Sequence, residues 1–181
     1  MSVKITYFVH GTTTDNENDI ATGWLPGELS EVGVEQAKEL GIKIKDKDFD
    51  IVFCSDLKRA VDSANLGFGD KYKIIPDARL RECNYGDFNG KGTEFKDNKM
   101  GRYVNTKFPN GESYKDVEER LNDFLVELGQ NYNEKHVAII AHQGPQLALE
   151  VLLNKKTWEE AIKEDWRNTK SWQPGWDYKL E

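Results

Sequence analysis

Two histidines stand where chemistry is feasible. Val9-His10-Gly11 closes a short β-branched and aromatic run at 5–9, and Ala141-His142-Gln143-Gly144 closes the most hydrophobic run of the chain. Both runs have strand composition, and both give way to turn residues. A lone histidine at a strand end is more often structural than functional. Here, two of only three histidines occupy equivalent positions. The third, His136, starts its run, so it belongs to the opposite edge and reads as a surface residue. A neutral imidazole whose other nitrogen is fixed by a carbonyl can attack phosphorus. A second imidazole and a guanidinium would then stabilise charge on the transferring oxygens. Arg59 lies one turn inside the helix expected after Ser55-Asp56, facing the same edge, where a helix N-terminus favours an oxyanion. Glu82 precedes a glycine-rich stretch and offers an acid for a leaving alkoxide. Taken singly, Arg59 reads as a surface ion pair and Glu82 as a solvated carboxylate. No cluster has metal-ligand spacing. Thr12-Thr13-Thr14 is not a P-loop, because no Gly-Lys-Ser/Thr follows.

The elements that must position these groups alternate in type. Residues 5–9, 49–55, 73–76 and 136–142 read as strands, and 12–28 reads as a polar loop over the first strand's end. Ser30 is a good N-cap for a helix over 31–45, with Val34, Ala37, Leu40 and Ile44 at helical spacing. Ser55 or Asp56 caps a helix carrying Leu57, Ala60, Val61 and Ala64. Ser113, with Asp116 three residues later, opens a long helix whose apolar face is Val117, Leu121, Phe124, Leu125 and Leu128. Further helices are expected over 146–153 and 157–165, and an edge strand within 170–180. Strands alternating with helices predict a three-layer α/β sandwich, with a mainly parallel central sheet and helices on both faces. In such a sheet His10 and His142 lie on one edge and can meet, at the carboxyl ends of strands where ligands bind. We expect one domain over 1–181, with 90–110 as an insertion or lid.

The composition narrows the setting. Hydrophobic residues make up 38% and charged residues 31% of 181 residues, and no apolar run approaches the roughly 20 residues of a membrane helix. No signal-peptide pattern opens the chain, and two cysteines give no disulfide framework, so a reduced, cytoplasmic setting is expected. A net charge of −7 argues against nucleic acid or an anionic membrane as partner. It leaves room for a small anion held by local donors. The sequence does not give the oligomeric state.

With these residues in view, the chain resembles the histidine phosphatase superfamily, also called the phosphoglycerate-mutase-like family. His10-Gly11-Thr12-Thr13 followed by Asn16 is similar to its Arg-His-Gly-x-Thr opening. Leu29-Ser30-Glu31-Val32-Gly33-Val34-Glu35-Gln36-Ala37 and Ser55-Asp56-Leu57-Lys58-Arg59-Ala60 are similar to its next two motifs. Glu82 with Gly86, Phe88 and Gly90, the turn Pro109-Asn110-Gly111-Glu112-Ser113, the Ala141-His142-Gln143-Gly144 end and Asn168-Thr169 follow in family order. The resemblance implies a phosphoglycerate-mutase-like fold and a phosphomonoester hydrolase working through phospho-His10. It implies Glu82 as proton donor, and Arg59, His142 and Asn16 as phosphate ligands. Gly11, Thr22, Gly23 and Gln143 join these as substrate contacts. It further implies no metal, no organic cofactor and a small phosphorylated metabolite as partner. The pattern around Glu82 looks more like the phosphatase branch than the mutase branch. Specificity is expected in Trp24, Leu25, the 90–110 segment, Trp172 and Trp176.

One departure bears on activity. The family's arginine before the nucleophilic histidine is absent, and residue 9 is valine. Either valine has replaced it or one residue has been lost; the Tyr7-Phe8-Val9 run matches the family strand up to the missing residue and favours the loss. Removing one transition-state donor costs about 10²–10³ in rate. The sequence therefore predicts weakened turnover, or a phosphate-ester binder without catalysis.

Overall fold

The computed structural model of the chain describes residues 2–69, 71–95, 100–171 and 173–181. Strands β1 (Val3–Val9), β3 (Ile51–Ser55), β4 (Ile74–Asp77), β6 (His136–Ala141) and β7 (Trp176–Leu180) form one sheet in the order β4-β3-β6-β1-β7. The first four run parallel, and β7 pairs antiparallel with β1 at the edge. The mainly parallel α/β sheet expected from the sequence is therefore present. A second, two-stranded ladder joins β2 (Ile20–Ala21) to β5 (Lys91–Gly92).

The two faces of the sheet follow from side-chain alternation along each strand. Ile5 and Tyr7 of β1, Phe53 of β3, and Val137 and Ile139 of β6 pack on one face, with Leu121, Phe124 and Leu128 of α4 (Tyr114–Asn131) and Leu147 and Leu149 of α5 (Gln143–Leu152). Phe8, Val52, Cys54, Ala138 and Ile140 pack on the other, with Ala64 and Phe68 of α3 (Lys58–Phe68). Partly buried Leu40 of α2 (Glu31–Lys43) joins that second core. Fully burying one such side chain is worth about 1.5–3 kcal/mol. Both faces must be covered at once, which is why the strands read as near-continuous apolar runs.

Several local expectations change. The 12–28 stretch is not simply loop: it holds α1 (Thr14–Glu17) and β2, tied down by Thr14 N–H to the Glu28 carbonyl at 3.0 Å. The N-cap of α3 is Leu57, with no side-chain cap bond. Ser55 Oγ accepts from the Leu57 N–H at 3.3 Å, and Asp56 binds Arg81 through both carboxylate oxygens at 2.7 and 2.6 Å. Helix α5 starts at Gln143, directly after His142, rather than at residue 146. His136 lies at the far end of β6, as expected, but is only partly exposed. Its ring meets Thr6 Oγ1 at 2.8 Å and lies 4.6 Å from the Phe49 ring. The caps at Ser30 and Ser113 form, the latter as a full capping box with Asp116. Helices α6 (Trp158–Lys163) and α7 (Trp166–Thr169) lead to β7. Among the described residues no helix is long and apolar enough to cross a membrane.

Candidate active site

The β1–β6 register decides where the histidines go. Val9 pairs with Ala141, and the His10 N–H continues the ladder to the Ala141 carbonyl at 3.1 Å. His10 and His142 each follow a paired residue, so their side chains leave the sheet on the same side. Their ring centroids are 5.0 Å apart. The His10 Nδ1 lies 2.7 Å from the Gly11 carbonyl oxygen. A carbonyl only accepts, so Nδ1 carries a proton, and in the neutral tautomer this leaves the lone pair on Nε2. Gly11 N–H donates to Ser63 Oγ at 3.0 Å, fixing the strand end against α3.

His142 is fully buried, and neither ring nitrogen has a hydrogen-bond partner among the described residues. Burial first, then the positive charge of Arg59, the neighbouring His10 imidazole, and the charges of Arg120 and Arg167, hold its pKa well below the ordinary histidine value. It is neutral at physiological pH. Its peptide is clamped by Tyr7: the Tyr7 hydroxyl donates to the His142 carbonyl at 2.6 Å and accepts from the His142 N–H at 2.9 Å. Burial, and secondarily the charge of Glu82, push the Tyr7 pKa well above its usual value, so this clamp stays protonated.

Glu82 is buried, not solvated. Its Oε1 accepts from the Cys83 and Gly144 N–H groups, both at 2.8 Å. Gly144 lies in the first turn of α5, where backbone donors and the helix dipole favour a carboxylate. A Cβ on Gly144 would stand 2.5 Å from that oxygen, so only glycine admits the contact. Oε2 has no protein donor among the described residues.

The structure brings His10, Glu82, Asn16 and Gln143 to one cavity of 390 Å³, together with Trp166 and Arg167. Asn16 Oδ1 caps α1 by accepting from Thr13 N–H at 3.0 Å, which leaves its Nδ2 donor without a protein partner among the described residues. Gln143 Nε2 donates to Asp165 Oδ2 at 2.6 Å. Five other sequence-selected residues do not line this cavity: His142, which is fully buried behind His10, and Arg59, Gly11, Thr22 and Gly23. Arg59 is buried, with Nη2 on the Gly23 carbonyl at 2.8 Å and Nη1 on the Leu25 carbonyl at 3.0 Å. Gly23 adopts φ +55°, and Thr22 Oγ1 donates to Asp15 Oδ2 at 2.7 Å. Gly11 faces a neighbouring cavity of 530 Å³ beside His10, lined also by Gln36, Leu40 and Ser63.

Of the residues expected to set specificity, Trp24 donates its indole N–H to the Glu82 carbonyl at 2.7 Å, and Leu25 is exposed. Trp176 stacks on Trp166 at 5.7 Å, and Thr93 of the 90–110 segment lines the cavity. Trp172 and residues 96–99 lie outside the described residues. Sequence reasoning missed Asp165, Trp166 and Arg167; their nearness to the recognised Asn168-Thr169 pair was the one available signal. Among the described residues no three His, Cys, Asp or Glu side chains cluster as metal ligands.

A family model described as histidine phosphatase superfamily, branch 1, matches residues 7–177. A 2,3-bisphosphoglycerate-dependent phosphoglycerate mutase of Parvibaculum lavamentivorans is 31% identical over 84% of this chain and 80% of its own length. The uncharacterized phosphatase PhoE of Bacillus subtilis is 32% identical over 74% of this chain and 68% of its own. Among solved structures, the alpha-ribazole phosphatase from Shigella flexneri superposes with a TM-score of 0.77 at 25% identity, covering 89% of this chain and 83% of its own.

Proposed function

The chain belongs to the histidine phosphatase superfamily, and on that premise we propose that it hydrolyses a small phosphate monoester through a phosphohistidine on His10. The observation that carries this reading is the pair of facing imidazoles, 5.0 Å apart, with Nδ1 of His10 held by a carbonyl. The Nε2 lone pair attacks phosphorus, the bond to the alcohol oxygen breaks, and Glu82, acting as the general acid, gives that oxygen its proton. Water then attacks the phosphohistidine, Glu82 takes the water's proton, and phosphate leaves with His10 restored. Neutral His142 donates to a transferring oxygen through a ring N–H, and Asn16 donates through Nδ2. Arg59 acts from its buried position by its charge and by holding Gly23, while Gly11, Thr22 and Gln143 shape the contacts to substrate. We read 1–181 as one domain in a cytoplasmic setting, with 90–110 as an insertion or lid; Thr93 of that segment lines the cavity.

Two other readings have an observation behind them. The arginine that the family resemblance implies before His10 is absent, replaced by Val9 or lost, which favours a phospholigand binder without turnover. The likeness to a phosphoglycerate mutase favours mutase activity. Turnover of an aryl phosphate by wild type and His10→Ala, beside calorimetric binding of vanadate, separates them. Loss of turnover in His10→Ala supports the hydrolase, and equal rates overturn it. Binding without turnover in the wild type favours the binder. Phosphoglycerate isomerisation faster than hydrolysis favours the mutase.

A further inference from the structure

The cavity at the His10 edge has an electrostatic difficulty. Its lining includes the acidic side chains of Asp19 and Glu82, and a phosphate monoester brings about two negative charges of its own. The strand end supplies no compensating charge, since Val9 precedes His10. Both Nη groups of Arg59 are engaged with carbonyls. Among the described residues, Arg167 is the one arginine or lysine lining this cavity.

We infer that Arg167 binds the phosphoryl group of the substrate and supplies the cationic contact that the β1 strand end lacks.

Its placement is fixed from three sides. Asp165 Oδ1 accepts from Nη1 at 3.0 Å and from the Arg167 N–H at 3.0 Å. Gln146 Oε1 lies 3.4 Å from the same Nη1, and the guanidinium carbon sits 4.4 Å from the Trp166 ring centre. Nε and Nη2 carry no hydrogen bond among the described residues, so two donors of the fork remain for a ligand. Asp165, itself buried, also receives Gln143 Nε2 at 2.6 Å. One carboxylate thus anchors both Arg167 and the residue after His142, coupling the cation to the histidine pair. The charge is felt there: Arg167 is among the groups that disfavour a proton on His142.

The inference rests on the phosphomonoesterase reading, but its test separates the two. Wild type, Arg167→Ala and Arg167→Lys are compared for calorimetric binding of inorganic phosphate and vanadate, for aryl phosphate turnover, and for melting temperature. We expect Arg167→Ala to melt close to wild type, to bind phosphate at least about tenfold more weakly and to lose about 10²–10³ in kcat/KM. Arg167→Lys retains part of the binding, since it keeps the charge and loses the fork. Added guanidinium, below denaturing concentration, restores part of the turnover of Arg167→Ala. A folded Arg167→Ala with wild-type affinity and turnover overturns the inference. So does a loss that guanidinium cannot restore and that tracks a fall in melting temperature. Wild-type protein that binds phosphate through Arg167 yet never turns over an ester would sink the hydrolase reading and leave this inference standing.

Discussion

At His142, a proton is hard to keep. The ring is fully buried and faces positive charge from Arg59, Arg120 and Arg167, so its folded pKa lies well below the ordinary value near 6.5. Below about pH 6.5 the unfolded chain protonates this imidazole and the folded chain does not. The unfolded state then binds more protons, so stability is fully present above that range and is lost as pH falls through it. Melting temperature should drop from pH 7 toward pH 5, and His142→Gln should lose part of that drop. An unchanged acid limb in the variant would contradict this account of His142. Saturating phosphate, whose negative charge favours the protonated ring, should also shrink the wild-type drop. The histidine pair and Glu82 were legible because strand ends and motif spacing expose them. Arg167 was not, because a residue in a four-residue helix has no periodicity to mark its direction. Asn16 was legible by spacing, but not the division of its amide between capping α1 and facing the cavity.

At the scale of elements, the meeting of the histidines is a consequence of register. Pairing of Val9 with Ala141 puts His10 and His142 one step beyond matched residues, and a one-residue slip would turn one of them to the opposite face. The loop after His10 is held just as tightly. Gly33, in the first turn of α2, approaches the Thr12 carbonyl so closely that a Cβ there would collide with backbone. Gly33→Ala should therefore cost about 1–3 kcal/mol in a denaturant melt and lower turnover by displacing the loop. The contrast is Gly129 in α4, where the nearest atom to an added Cβ is Leu180 Cδ2 at 3.6 Å. Gly129→Ala should raise stability by up to about 1 kcal/mol and leave turnover alone. Equal effects of the two substitutions would contradict the close approach at Gly33. Helices α2 and α4 were readable from caps and 3.6-residue spacing. Helix α1 and the β2–β5 ladder were not, because such short pieces depend on distant partners. The Gly90 N–H to the Ala21 carbonyl, at 2.8 Å, is one such contact.

For the whole molecule, two cores on opposite faces of one sheet hold the strand ends at a shared edge. In the proposed reading, donors for an anion gather there against a net charge of −7. The layer architecture was legible because alternation of strands and helices leaves few ways to bury both faces. Which loops close the site was not, since 12–28 and the segment after α6 fold by tertiary contact. The central claim is that His10 takes the phosphoryl group. The direct measurement is rapid quenching of wild type and His10→Ala with a phosphoester carrying radiolabelled phosphate, followed by peptide mapping. The account predicts label that survives alkali, is lost in acid, maps to the peptide containing His10 and is missing from His10→Ala. Steady turnover with the label on another residue, or with no labelled protein at any quench time and undiminished rates in His10→Ala, would contradict it.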